Sequence, residues 1–155
     1  MRDRFNSFVS YIQELGRCLQ KIKDMEMKKF GLRAGHAMCL YQLSESPEGL
    51  SAVQLTKLCH EDKATISRLM SELLKKGYVE AAGTPMTNYR MRYRLTAAGE
   101  KVSNRVKERV DCAVSNGGAG LSDTERSHFY DSLELVLNNL KNYLNTQKKN
   151  KSDAE

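Results

Sequence analysis

Apolar residues along this chain recur at two different spacings, and the change from one to the other divides it. Phe5, Phe8, Ile12, Leu15, Leu19 and Ile22 follow one another at steps of three and four. That is the seam of a helix over roughly 4 to 29, and a seam so narrow wants a partner helix. A second helix over about 34–45 ends at the turn Ser46-Pro47-Glu48-Gly49. Leu50 then supplies one short strand, and Ser51 with Gln54 forms a capping box. The capping box starts a helix to about Cys59 that carries Val53, Leu55 and Leu58. Glu61 and Asp62 open the next helix, where acidic groups complement the N-terminal dipole. It runs to Lys76 with Ile66, Leu69, Leu73 and Leu74 on one face, and Gly77 stops it.

Beyond Gly77 the period changes to two. Tyr78-Val79-Glu80-Ala81 reads as a strand and Gly83-Thr84-Pro85 as a turn. From Tyr89 to Leu95, Tyr89, Met91, Tyr93 and Leu95 alternate with Arg90, Arg92 and Arg94. One strand face is therefore apolar and turned inward, and the other carries three guanidinium groups. Helical period then returns. Thr96 caps a helix of about 97–114 with Val102, Val106, Val110 and Ala113 along one face. After the turn Asn116-Gly117-Gly118-Ala119-Gly120, a capping box of Ser122 and Glu125 opens a last helix with Phe129, Leu133, Val136, Leu140 and Tyr143, ending near 146. The polar stretch 147–155 is expected to be disordered.

Two helices joined by a tight turn and followed by a β-hairpin make a winged helix-turn-helix. The fold expected is therefore mainly α with a small β-wing, the winged helix-turn-helix being flanked by long dimerisation helices. Its parts are an N-terminal dimerisation helix over 1–30, a winged lobe over 31–96, C-terminal dimerisation helices over 97–146 and the tail over 147–155.

Charge adds a direction. The 155 residues hold 25 Lys and Arg against 19 Asp and Glu, a net +6, which suits a polyanionic partner. No apolar run is long enough to span a membrane and no signal-type core opens the chain, so a cytoplasmic protein is expected. Cys18, Cys39, Cys59 and Cys112 contain no CxxC spacing, and reduced, packed thiols are the expectation. His36, Cys39, Cys59 and His60 are soft ligands by type, but their spacing is not that of a zinc site, and no metal or cofactor is expected. Gly117-Gly118-Ala119-Gly120 follows no strand and precedes no Lys-Ser/Thr, so it is not a phosphate loop. HExxH and GxSxG are absent, and His36, His60 and His128 have no nucleophile partner, which argues against an enzyme.

The run Asp62-Lys63-Ala64-Thr65-Ile66-Ser67-Arg68-Leu69-Met70, then Leu73-Leu74-Lys75-Lys76-Gly77-Tyr78-Val79, then Leu95-Thr96-Ala97-Ala98-Gly99-Glu100 resembles the MarR family of bacterial transcription regulators. Gly31-Leu32-Arg33 and Leu50-Ser51-Ala52-Val53-Gln54-Leu55 look like the starts of that family's second and third helices. In place of the family's usual Asp-x-Arg in the wing stand Thr87 and Tyr89, with Arg90 one residue on.

The resemblance implies a homodimer on a pseudo-palindromic operator, a repressor released by a small effector bound between the dimerisation helices and the DNA-binding lobe. It places double-stranded DNA against Ser51, Gln54, Lys63, Thr65, Ser67, Arg68, Ser71, Arg90, Arg92 and Arg94. It gives dimerisation to Phe5, Phe8, Ile12, Leu15, Leu19, Phe129, Leu133, Val136 and Leu140. The competing reading is a winged-helix protein-interaction module whose basic face binds an acidic partner.

Overall fold

The structure, a computed structural model, describes residues 2–82 and 91–152, with side chains at 4, 6–82 and 91–147. Its elements run α1 (Arg2–Lys28), α2 (Ala34–Ser44), α3 (Ala52–Cys59), α4 (Lys63–Lys75), β1 (Val79–Ala82), β2 (Arg92–Leu95), α5 (Ala97–Gly117) and α6 (Asp123–Ser152). They fall into two compact units, Met1–Ala113 and Val114–Glu155.

The first unit is built around α2, which carries the largest share of buried side chains for its length: Ala34, His36, Ala37, Cys39, Leu40 and Leu43. No Ser, Thr or Asp precedes it to cap its first turn. Two other groups take the role. The Asp24 carboxylate on α1 accepts from the Ala34 N–H at 2.9 Å, and the His36 ring nitrogen Nδ1 accepts from the Arg33 N–H at 3.0 Å. Around α2 pack Met27 of α1, Leu55 and Cys59 of α3, and Ile66, Leu69, Met70 and Leu73 of α4. On α3 the buried pair is Leu55 and Cys59, while Val53 and Leu58 are exposed, so the helix-turn-helix buries a narrower face than its apolar content suggests.

β1 and β2 pair antiparallel with Val79 opposite Leu95 and Ala82 opposite Arg92. Leu50 adds a single bridge to Tyr93, through N–H···O contacts of 3.0 and 2.8 Å, as the short strand expected there. Thr96 then caps α5, accepting from the Gly99 N–H at 3.1 Å while its hydroxyl donates to the Gly77 carbonyl at 2.6 Å. Gly99 has to be glycine, since a Cβ there would stand 1.8 Å from the Tyr78 carbonyl oxygen. The first half of α5 belongs to this unit, with Val102, Ser103 and Val106 buried and the Ser103 hydroxyl donating to the Leu40 carbonyl. The wing turn expected at 83–85, together with Thr87, Tyr89 and Arg90, lies outside the described residues.

In the second unit the Ser122–Glu125 capping box forms as its spacing predicts, with the Glu125 carboxylate accepting from the Ser122 N–H at 2.8 Å. The Ser122 hydroxyl, donating to the same carboxylate at 2.7 Å, and the Ser122 N–H together hold Glu125 below the usual carboxylate range. One expectation is corrected here. Residues 147 to 152 continue α6 instead of forming the start of a disordered tail. The stretch contains no Pro or Gly, and Lys and Gln propagate a helix already nucleated upstream.

Candidate nucleic-acid interface

Helix α4 is amphipathic in a strict sense. Ile66 and Leu73 are completely buried, and Met70 almost so, each contributing about 1.5–3 kcal/mol through apolar burial. The opposite face shows Lys63, Ser67, Arg68 and Ser71 to solvent, with Thr65 half-buried at its edge. Asp62 caps the helix, accepting from the Thr65 N–H at 2.8 Å and from the Thr65 hydroxyl at 3.0 Å. These two bonds hold the Asp62 carboxyl below its usual range. Arg68 Nη2 reaches the same hydroxyl at 3.5 Å, so cap, hydroxyl and guanidinium form one short chain at the helix start.

Ser51 and Gln54 play a different part from the rest of the set. The Ser51 hydroxyl accepts from the Gln54 N–H at 3.3 Å, and the Gln54 side-chain oxygen accepts from the Ser51 N–H at 2.9 Å. Both side chains close the start of α3.

The arginines of β2 are likewise engaged. Arg92 donates to the Gly49 carbonyl at 2.9 Å. Arg94 donates to the Glu48 carbonyl at 3.3 Å and stands 3.7 Å from the Glu48 carboxylate. The strand face is thus basic, and it also braces the turn between α2 and α3. Because Gly49 has φ +80 and a Cβ there would meet Arg94 Cγ and the Tyr93 carbonyl at 2.8 Å, the turn lies flat against the strand. Arg92 remains exposed and Arg94 half-buried.

Sequence reasoning missed the groups that hold α4 against α2. Glu72 pairs with Arg33, and its second oxygen lies 3.1 Å from Nε2 of the fully buried His36. Burial pushes the His36 pKa down, keeping the ring neutral. The only available signal was an acidic residue beside Leu73 at the border of the apolar stripe. Among the described residues no group of three or more His, Cys, Asp and Glu side chains is placed to hold a metal ion, and no helix is long and apolar enough to cross a membrane.

The expected dimerisation positions are placed on two helices. Phe8, Ile12, Leu15 and Leu19 are exposed along α1, at 40–51% of their surface. Phe129, Leu133 and Leu140 are exposed along α6, with Val136 half-buried among them. The side chain of Phe5 lies outside those described.

Two helices joined by a tight turn, a two-stranded wing and long helices before and after them define a winged helix-turn-helix. Residues 30–86 match the model of the MarR family. Solved structures agree over nearly the whole chain. A MarR family transcriptional regulator from Silicibacter pomeroyi is 25% identical, with 86% of this chain and 90% of that chain covered at a TM-score of 0.71. A MarR protein from Peptoclostridium difficile is 23% identical, with 87% and 88% covered at 0.78. A MarR family transcriptional regulator from Listeria monocytogenes, solved in complex with a 26mer DNA, is 20% identical, with 90% and 93% covered at 0.79. No curated protein matches the chain.

Proposed function

We propose that this protein is a DNA-binding transcriptional regulator that acts as a homodimeric repressor on a pseudo-palindromic operator and is released by a small ligand. The observation that carries this reading is the exposed row Lys63, Ser67, Arg68 and Ser71 on a helix whose other face is locked into the core. Such a helix presents cations and hydroxyls to base edges and phosphates while its backbone stays fixed. A relative of this fold complexed with DNA lends it further support. In this reading Arg92 and Arg94 contribute phosphate contacts beside the reading helix, which position the protein without specifying sequence.

Dimerisation follows from the apolar rows on α1 and α6. A row of exposed Phe, Ile and Leu side chains at helical spacing is stable in water once a second copy covers it. Release by a ligand rests on a crevice of about 310 Å³ between the end of α2, β2 and the first half of α5, lined by Ser44, Ser46, Arg94, Glu100 and Asn104. Its volume is at the lower end for small-molecule sites. A ligand there releases DNA only by binding the non-DNA-binding arrangement more tightly.

The test is the salt dependence of duplex binding. A reader of DNA displaces condensed counterions, and its affinity falls steeply with salt, whereas an acidic protein partner produces no such log-linear slope. A flat salt response, with no preference for any selected duplex, refutes the assignment and leaves the acidic-partner module.

A further inference from the structure

Helix α4 is held in the core by Ile66, Leu69, Met70 and Leu73. Apolar burial is strong but non-directional, so such a row fixes the depth of a helix better than its rotation about its own axis. Among the described residues, the polar contacts that tie α4 to another helix come from Glu72. One carboxylate oxygen pairs with Nη2 of Arg33, the residue before α2, and the other stands 3.1 Å from Nε2 of His36 in the first turn of α2. Nδ1 of the same ring accepts from the Arg33 N–H at 3.0 Å, which places the ring hydrogen on Nε2, facing the carboxylate. The opposite tautomer would turn a lone pair toward Glu72. Beside this contact Gly35 lets the two helices touch, since a Cβ there would stand 3.2 Å from Leu69 Cδ2.

We propose that Glu72 is a positioning residue for sequence reading, which sets the rotation of α4 through Arg33 and His36 without itself touching DNA. This role rests on the proposed DNA-binding function. Thr65, Arg68 and Glu72 follow one another at steps of three and four and so lie along one flank of α4. That flank is fastened on both sides of Arg68. Thr65 is bonded to the Asp62 cap, and Glu72 is paired with the start of α2.

The lever arm gives the fastening its consequence. Side chains end about 5–6 Å from a helix axis, so turning α4 by about 10° moves the tip of Arg68 by about 1 Å. A hydrogen bond to a base edge spans only about 2.7–3.2 Å and does not survive a shift of that size. Attraction to a phosphate falls off slowly with distance and does survive it. Loss of the Glu72 contacts should therefore erase sequence preference and leave nonspecific binding in place.

The experiment compares the full chain with Glu72→Gln, Arg33→Ala, Arg33→Lys and the double variant Glu72→Gln/Arg33→Ala. The probes are a duplex selected from random DNA by the wild-type protein and a random-sequence duplex of equal length. The readout is the ratio of the two affinities. Any loss of folded protein cancels in that ratio, so a purely structural role leaves it unmoved. The Arg33 side chain is 68% exposed, and its removal costs little folding stability. Glu72→Gln, which keeps the volume and removes the charge, should lower the ratio roughly tenfold, and Arg33→Ala about threefold. Arg33→Lys keeps the cation and recovers most of the loss, and the double variant falls no further than Glu72→Gln alone. Wild-type ratios in Glu72→Gln and Arg33→Ala overturn the proposal, as do losses that multiply in the double variant. A salt slope lowered by about one unit in Arg33→Ala also overturns it, because Arg33 then touches a phosphate itself. Amide NMR shifts of residues 63–71 give a reading without DNA. They should move in both single variants, and unmoved shifts overturn the coupling. Wild-type protein that prefers no selected duplex refutes the DNA-binding function instead, while the shifts still decide whether Glu72 sets the helix.

Discussion

Helix α4 and helix α1 carry apolar residues at the same steps of three and four, yet they end in opposite situations. On α4, Ile66, Leu69, Met70 and Leu73 retain no more than 5% of their surface. On α1, Phe8, Ile12, Leu15 and Leu19 retain 40–51%. The difference lies in what surrounds them. α4 sits among α2, α3 and β1 of its own unit, whereas among the described side chains of α1 only Met27, at its end, belongs to the core. Periodicity therefore marks a face that must be covered and is silent about the molecule that covers it. The stability of the helix-turn-helix unit is internal to one chain, and in the proposed dimer a second copy covers the apolar faces of the long helices.

The sharpest way to break this comparison is through the DNA. If two copies are joined through the exposed helices, their reading helices enter major grooves about one helical turn apart, roughly 10 base pairs or a multiple. Inserting about half a turn, roughly 5 base pairs, at the operator centre is expected to cost at least about a thousandfold in specific affinity while sparing the nonspecific component. Undiminished binding on the lengthened site would mean that each lobe binds alone.

Next in size is a pair of substitutions that separates internal from external burial. Leu73→Ala empties a fully buried site and should cost about 2–5 kcal/mol in urea unfolding. Leu15→Glu, on the exposed row, should leave the stability of the reading unit within about 0.5 kcal/mol. It should nevertheless shift sedimentation toward the 17.6 kDa monomer. A Leu15→Glu protein that remains dimeric would move the interface elsewhere.

How much of this was legible in the sequence depends on the range of the interaction. Capping boxes at Ser51–Gln54 and Ser122–Glu125 and the stop at Gly77 rest on neighbours within a few residues, and each forms as its spacing predicts. The contacts that fix the reading helix do not have that property. Arg33 and His36 meet Glu72 across more than thirty positions, and Asp24 caps a helix that begins ten residues further on. A charge pattern reveals neither. Candidate site residues can be listed from the sequence, but only the structure shows that Ser51 and Gln54 close α3 and that the β2 arginines already hold a turn.

A smaller effect is expected at Arg68, whose guanidinium lies at the start of the exposed row and near Thr65. Arg68→Ala should remove about 1–3 kcal/mol of discrimination between operator and random duplex, with little change in nonspecific affinity. Equal losses on both duplexes would make Arg68 a positioning contact like those of the wing.

The smallest effect belongs to Arg92, where two roles overlap. One guanidinium nitrogen donates to the Gly49 carbonyl, but a guanidinium has five N–H donors, and the side chain stays exposed at the strand. Both roles can thus be filled at once. Arg92→Ala should lower folding stability by about 0.5–1.5 kcal/mol, the usual worth of one hydrogen bond. It should also lower the salt slope of binding by about one unit on every duplex alike, as the loss of one phosphate contact requires. The two measurements are independent. A reduced stability with an unchanged slope would assign Arg92 wholly to bracing the α2–α3 turn, and would leave the exposed face of α4 as the main source of phosphate contacts among the described residues.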